Sequence, residues 1–147
     1  MNLEFASPLA FFSHDHRHCD ELWATLEGDP SAAAWQVFEH AMRQHFAMEE
    51  EVLFPAFDSK TGMEMGPTFV MRTEHQQMNK VFDDMQQALA EKNSDGYLGL
   101  SETLLMLMQQ HNMKEENILY PMCAQALGAE AERLGAAMGA TLEQGRA

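Results

Sequence analysis

Two short segments of this chain repeat one pattern of histidine and glutamate. The segment HFAMEEEVLFP at 45–55 matches HNMKEENILYP at 111–121 at an offset of 66 residues, with His, Glu, Glu, Leu and Pro coinciding. In each segment a glutamate follows a histidine by four residues: Glu49 follows His45, and Glu115 follows His111. Residues four apart lie one turn apart on the same face of a helix. If both segments are helical, each therefore presents an imidazole and a carboxylate to a common partner.

Two further histidines, His16 and His75, interrupt apolar stripes that recur every three or four residues along the chain. Such stripes are typical of the core-facing side of an amphipathic helix. The chain is thus predicted to form two helical hairpins, each with one histidine on its first helix and His-x-x-x-Glu on its second. A bundle with pseudo-twofold symmetry follows from this repeat.

The six polar residues on these stripes need a partner in the core. An unpaired carboxylate is costly to bury, and its pKa would shift rather than leave it charged. Two carboxylates and four imidazoles that converge from four helices are most simply satisfied by a pair of divalent cations. Such ligands suit iron, zinc or manganese. If the glutamates bridge both ions, each ion takes two histidines, most simply His16 with His45 and His75 with His111. Coordination positions then remain open for other ligands.

Helix signals dominate the sequence, and strand signals are nearly absent. Ser7-Pro8 is typical of a helix start, and Gly28-Asp29-Pro30 ends this first helix. Ser31 is predicted to cap a second helix, whose last turn Pro55 should loosen. A loop is predicted at 58–67, and the third helix then ends near 93–96. A weaker amphipathic segment after the fourth helix predicts a short fifth helix or tail, although its glycines disfavour helix.

The predicted fold is all-α: an antiparallel up-down four-helix bundle with a short C-terminal helix or tail. The chain is predicted to be a single domain over 1–147, with the bundle at about 8–123 and the tail at 124–147. On the second helix the core stripe is predicted to continue from Glu49 through Val52 and Ala56. On the fourth it is predicted to continue from Glu115 through Ile118 and Met122.

These motifs resemble the hemerythrin-like (HHE cation-binding) proteins. The resemblance covers residues 8–123 and depends on His16, His75 and the two His-x-x-x-Glu motifs with their trailing Leu-Phe-Pro and Leu-Tyr-Pro. It implies a four-helix bundle that holds two iron ions, bridged by two carboxylates and an oxo or hydroxo group. The implied metal ligands are His16, His45, Glu49, His75, His111 and Glu115.

The sequence departs from oxygen-carrying hemerythrin, which has a His-x-x-x-His pair on its third helix. Met71 and Asn79 stand one turn on either side of His75, so the fifth histidine is missing. The second bridging acid is also one residue closer to its histidine, and it is Glu rather than Asp. Four His and two Glu are more similar to the branch that includes bacterial proteins for iron–sulfur repair and nitric oxide response. This resemblance favours redox reactions or iron donation over reversible oxygen carriage.

The leading functional hypothesis is a di-iron protein that binds or reacts with O2, peroxide or nitric oxide, or handles iron under such stress. An unidentified electron donor would be its redox partner, and whether it is an enzyme stays open. The alternatives are a non-catalytic module that binds or senses oxygen or iron, and a bundle that holds zinc for structure. Ferritin-like bundles are set aside because their paired Glu-x-x-His motifs do not occur here.

The composition of the chain limits the kinds of partner that it is expected to bind. The chain has 147 residues and a formal charge of −14, which disfavours nucleic acid and anionic membranes because both need clustered Lys and Arg. No apolar stretch approaches the length of a membrane span, and no signal peptide is evident. Two cysteines do not make a disulfide framework, so a cytoplasmic location is expected. A monomer or a homodimer is expected.

The other polar and sulfur-containing residues have plainer interpretations. His14, His18 and His40 are predicted to be surface residues, with His14 as the fallback ligand for His16. Cys19 is predicted to be a buried, unreactive thiol, Cys123 has no assigned role, and most methionines are predicted to fill the core. Core packing is the first interpretation of Tyr120, and a hydrogen bond near Glu115 is the second. Among the acids, Glu50, Glu51 and Glu116 are assigned to a solvated face.

Overall fold

The structure is a computed structural model that describes the backbone of residues 10–145, and side chains within that range except those of residue 11 and residues 139–145. The predicted helix start at Ser7-Pro8 lies outside the described residues. The elements are α1 (Ala10–Gly28), α2 (Ala32–Met48), a π-turn (Glu49–Leu53), α3 (Phe54–Thr61), α4 (Pro67–Ala90), α5 (Ser94–Lys114), a second π-turn (Glu115–Leu119), α6 (Tyr120–Leu127) and α7 (Ala129–Gly145).

The predicted all-α bundle is confirmed. Each π-turn joins its flanking helices without leaving helical backbone angles, so α2 continues into α3 and α5 continues into α6. Four long helical rods result. The rods pack as two hairpins, α1 against α2 and α4 against α5, and the hairpins meet where α2 contacts α4 and α3 contacts α6. The predicted C-terminal helix is α7, which packs on α6 and α1.

The helix boundaries follow local chemistry. The predicted cap at Ser31 is confirmed, because its hydroxyl accepts a hydrogen bond from the Ala34 amide. Asn93 caps α5 in the same way. The prediction of a loop at 58–67 is wrong for its first residues, since α3 continues to Thr61 and ends at Gly62, which has a left-handed φ of 72°. Asp58 lies within α3, and its carboxylate accepts hydrogen bonds from Thr68 and Arg72 on α4.

The π-turns shift the core stripe by one residue. In each turn a backbone N–H bonds the carbonyl five residues earlier: Phe54 to Glu49, and Tyr120 to Glu115. The extra residue moves the next inward position one place along the chain. The predicted core position Ile118 is therefore 56% exposed, whereas Leu119 is 1% exposed.

The same correction applies throughout both repeats. Val52, Ala56 and Met122 are only partly buried, and the fully buried residues are Leu53, Phe57 and Cys123. The prolines at 55 and 121 open the following helices, where a missing backbone N–H is tolerated. The loosening expected at Pro55 thus takes the form of the π-turn that precedes it.

The apolar core consists of two clusters. One contains aromatic residues of α1, α2 and α4, including Trp23, Trp35, Phe38 and Phe82. The other contains residues of α1, α3, α4, α6 and α7, including Phe12, Phe54 and Leu119. The buried polar residues that were predicted to face the core lie where the two apolar clusters meet. Within residues 10–145, no helix combines the length and apolar character needed to cross a bilayer.

Candidate metal centre

The structure brings the six predicted ligand residues together between the two apolar clusters. Glu49, His75, His111 and Glu115 offer ligand atoms that all lie within 4.8 Å of one another, and His16, His45 and Glu115 form a second such group. All six side chains are buried, with Glu49, His75 and Glu115 fully so. His16, rather than the fallback His14, occupies the position on α1, since His14 is exposed. The clustering agrees with the prediction, and the ligand role of each residue is a proposal.

The histidines form two pairs that match the predicted grouping. The ring centroids of His16 and His45 lie 4.7 Å apart, and those of His75 and His111 lie 4.8 Å apart. Both members of the second pair direct Nε2 inward, with 3.2 Å between these two nitrogens. Each pair combines one histidine from the first rod of a hairpin with one from the second rod.

Each buried glutamate spans both histidine pairs. Glu49 Oε1 lies 3.2 Å from His45 Nε2 and 3.3 Å from His75 Nε2. Glu115 Oε1 lies 3.0 Å from His16 Nε2 and 3.1 Å from His111 Nε2. Each carboxylate therefore touches one histidine of each pair, which is the placement that a bridge between two metal ions requires.

The unsatisfied atoms of the cluster fit a metal pair. Within the described part of the chain, Glu49 Oε1 and Glu115 Oε2 accept no hydrogen bond although both are buried. An unsatisfied buried acceptor costs about 1–3 kcal/mol, and more when the group is charged. Imidazole nitrogens and carboxylate oxygens are donors that iron, zinc and manganese accept. The residues present therefore fit the divalent cations that the sequence predicts.

An outer carboxylate faces Nδ1 of every histidine in the cluster. Asp15 Oδ2 lies 2.8 Å from His45 Nδ1, and Glu74 Oε1 lies 2.8 Å from His111 Nδ1. Looser contacts of 3.4 Å and 3.7 Å join Glu116 to His16 and Glu50 to His75. At His45 and His111 the carboxylate accepts a hydrogen bond from Nδ1, so in the neutral imidazole Nε2 would keep its lone pair for a metal. Carboxylate–histidine pairs of this kind orient metal ligands in many proteins.

The comparisons with known proteins can now be set beside this geometry. The family model of the hemerythrin HHE cation-binding domain matches residues 7–123. This chain belongs to the hemerythrin HHE family. No curated protein and no solved structure gives a significant match. Family membership and the buried His/Glu cluster together support a metal cofactor.

The two halves of this HHE domain differ at one position beside the cluster. Tyr120 takes the place that Phe54 holds in the first repeat. Its hydroxyl lies 2.9 Å from Glu49 Oε2 and 3.1 Å from Glu115 Oε1, so it can donate to either carboxylate. It also lies 3.2 Å from His16 Nε2. Both interpretations of Tyr120 are confirmed: it packs in the buried core, and its phenol bonds Glu115.

Charge pairing governs the protonation of the cluster in the absence of a metal. Burial alone would lower the pKa of His111, but Glu115 and Glu74 outweigh it and raise this pKa to about 9. Burial likewise opposes the charges of Glu49 and Asp15 at His45, and these charges raise its pKa well above the ordinary value. Burial would raise the pKa of Glu49, yet His45 and the surrounding hydrogen bonds hold it well below its usual range. Without a metal, protons on the imidazoles balance the carboxylates.

The remaining sequence candidates lie away from the centre or are inert. His14 and His40 are exposed, and His18 is partly exposed. Cys19 is buried as predicted, and Cys123, to which the sequence assigned no role, is buried as well. Burial, followed by the charges of Glu49 and Glu115, raises the pKa of Cys123 to about 12, which suppresses the reactive thiolate.

Sequence reasoning missed the outer carboxylates. Asp15 and Glu74 were not singled out, although each immediately precedes the histidine on the first rod of its hairpin. Glu50 and Glu116 were assigned to a solvated face, which is wrong in part: both are partly buried and face an imidazole. The signal that could have found them is the repeat itself, because each kind of acid recurs beside its histidine or glutamate in both halves.

Proposed function

We propose that this chain is a non-haem di-iron protein that binds or reacts with O2, peroxide or nitric oxide, in stress response or iron handling. The observation that carries the proposal is the position of the two glutamates, each of which contacts one histidine from each pair. His16, His45, Glu49, His75, His111 and Glu115 would hold the metal pair. Iron bound there would supply one-electron redox chemistry.

The number of donor atoms separates a six-coordinate metal such as iron from four-coordinate zinc. Four imidazoles and two carboxylates supply too few donor atoms to fill two octahedral coordination spheres, even if both oxygens of each carboxylate bind. Positions are then left for small exogenous ligands, whereas a structural site is closed by protein ligands. The same eight donor atoms would complete two tetrahedral zinc sites, so open positions for exogenous ligands require a six-coordinate metal such as iron.

The chain's own residues would control what reaches these positions. Phe46 stacks on His75 with 4.0 Å between ring centroids, and Phe12 stacks on Tyr120 at 5.2 Å. Phe54 also stacks on His75, at 5.8 Å. These rings would exclude water from the parts of the site beside His75 and Tyr120 and favour small apolar molecules there. The Tyr120 hydroxyl is the proton donor nearest to the two carboxylates, and it can give a hydrogen bond to a ligand at that end.

Optical spectra of the iron-loaded protein test the proposal. The metal-free protein is loaded with ferrous iron under nitrogen and then exposed separately to air, hydrogen peroxide and nitric oxide, with zinc-loaded protein as the control. We expect near-ultraviolet and visible bands to change with at least one reagent, together with consumption of that reagent. A stable, reversible oxygen adduct would favour the binding or sensing module instead. Spectra that never change, with zinc bound in preference to iron, would contradict both hypotheses.

A further inference from the structure

The two halves of the bundle repeat the ligand pattern, but they differ in how the site meets solvent. A cavity of about 310 Å³ opens between α1 and α5, and His16, Asp20, Gln109, Asn112 and Glu116 are among its lining residues. We name it the α1–α5 pocket. It has room for several water molecules, since one water needs only about 10–15 Å³ on this measure. It therefore connects bulk solvent to one histidine of the cluster.

The equivalent position in the other half is filled. At the repeat offset of 66 residues, Phe46 corresponds to Asn112 and Arg43 corresponds to Gln109. The ring of Phe46 covers His75, and Arg43 donates hydrogen bonds to Glu39, Asn79 and Asp83. The smaller polar side chains on α5 thus leave a cavity beside α1, whereas Phe46 and Arg43 on α2 fill the equivalent space beside α4.

The α1–α5 pocket has the chemistry of a cation path. The carboxylates of Asp20 and Glu116 lie on its wall and outweigh the single positive charge of Arg17. His16 lines the pocket's inner end and is 5% exposed, and its Nδ1 has no hydrogen-bond partner among the described residues. Glu116 Oε1 is 3.4 Å from that nitrogen, and on the other side of the ring Nε2 reaches Glu115. Carboxylate oxygens therefore line the pocket down to the imidazole of His16, whose Nε2 faces the centre.

A second cavity, of about 100 Å³, reaches His111 between α4 and α5. It is smaller, and its carboxylate is already engaged. Glu74 accepts hydrogen bonds from both His111 and the Lys114 ammonium. A cation that approached there would meet the Lys114 charge and a carboxylate whose two oxygens already accept hydrogen bonds.

We propose that the α1–α5 pocket is the entry path through which hydrated divalent cations reach the buried cluster. The inference rests on the proposed metal site. It adds a role for Asp20, Asn112 and Glu116 that the site itself does not require. The cation would exchange water for carboxylate oxygens in the pocket before it reaches the imidazoles.

The rate of Co²⁺ uptake into the metal-free protein tests the proposal, because cobalt gains visible absorption in a protein site. Asn112→Phe copies the residue that closes the other half, and we expect it to slow uptake about tenfold or more, with the final cobalt content unchanged. The matched control is Gln110→Phe, which adds the same ring at the smaller cavity and should leave the rate unchanged. A folded Asn112→Phe protein with wild-type uptake, or slowing by Gln110→Phe instead, would overturn the proposal.

A variant that removes one negative charge from the pocket provides a second test of the entry path if Asn112→Phe does not fold. Asp20→Asn changes an exposed side chain, and we expect slower uptake with a weaker dependence on ionic strength, since a screened attraction is removed. Uptake at the wild-type rate and with the wild-type salt dependence would then overturn the entry path. Failure of the wild-type protein to bind cobalt at all would instead contradict the proposed metal site.

Discussion

Replacing Glu49 with alanine will lower the iron content of the reconstituted protein well below two ions per chain. Glu49 is fully buried, and its Oε1 contacts one histidine of each pair. Alanine removes the bridge for both ions together, so the loss should exceed the roughly 10–100-fold drop in affinity typical of outer-shell changes. By the repeat, Glu115→Ala should have a similar effect. Metal analysis after anaerobic loading and desalting measures the result.

The control for this experiment is Glu51→Ala, which removes an exposed acid two residues along the same turn. It should retain the wild-type iron content. Glu49→Gln keeps the side-chain volume and separates the loss of a ligand from the loss of packing. Circular dichroism checks that each variant is helical. Unchanged metal content and spectra in folded Glu49→Ala protein would refute the bridging role.

Metal-free protein will lose stability as the pH rises from about 6.5 through about 9. The folded-state pKa of His111 is raised to about 9, and those of His16, His45 and His75 are raised as well. A raised histidine pKa means that folding favours the protonated form, so the stabilisation is complete below the unfolded value and disappears above the folded one. For His111 alone the shift corresponds to the order of 3 kcal/mol.

The buried carboxylates set the acidic limit of the pH range in which the metal-free protein is stable. The pKa of Glu49 lies well below its ordinary value, and that of Glu74 is about 2, so their stabilisation is present above about pH 4.5 and disappears as the pH falls. Metal-free protein should therefore be most stable between these limits. In metal-loaded protein the inner nitrogens bind cations instead of protons, and the alkaline loss should be absent.

Urea unfolding at about pH 6 and about pH 10, with and without metal, measures this difference. The His40→Gln variant changes an exposed histidine outside the cluster and should keep the wild-type pH profile. Metal-free protein whose stability is constant or rises over this interval would contradict the charge pairing described for the cluster.

Much of the fold could be predicted from the sequence because spacing and capping are local properties. The steps of three and four that place His16 and His75 on core stripes, and the cap at Ser31, needed no knowledge of neighbouring helices. The internal repeat further indicated that the two hairpins are related by pseudo-twofold symmetry. For these reasons the six polar residues were expected on inward-facing positions before their partners were known.

The π-turns could not be predicted from periodicity. A regular helix places Val52 and Ile118 on the core stripe, yet one extra residue in each turn buries Leu53 and Leu119 instead. The turns begin at Glu49 and Glu115 themselves, so the local geometry and the candidate site are linked. Single-turn π-helical segments of this kind, known as π-bulges, are frequent at functional sites.

Contacts between side chains on different helices also could not be predicted from the sequence. Glu50 and Glu116 follow buried residues in acidic runs, and nothing in their own segments indicates that each faces a histidine on another rod. Tyr120 posed the same difficulty, because a buried phenol and a buried phenyl ring have the same stripe position. Sequence spacing assigns a side chain to a face, whereas its partner depends on the packing of two rods.

Anomalous diffraction from crystals of iron-loaded protein, recorded on both sides of the iron edge, tests the central claim most directly. We expect two iron positions within the bundle, one beside His16 and His45 and the other beside His75 and His111, with Glu49 and Glu115 in contact with both. A single iron position, or iron bound only to surface carboxylates, would contradict it.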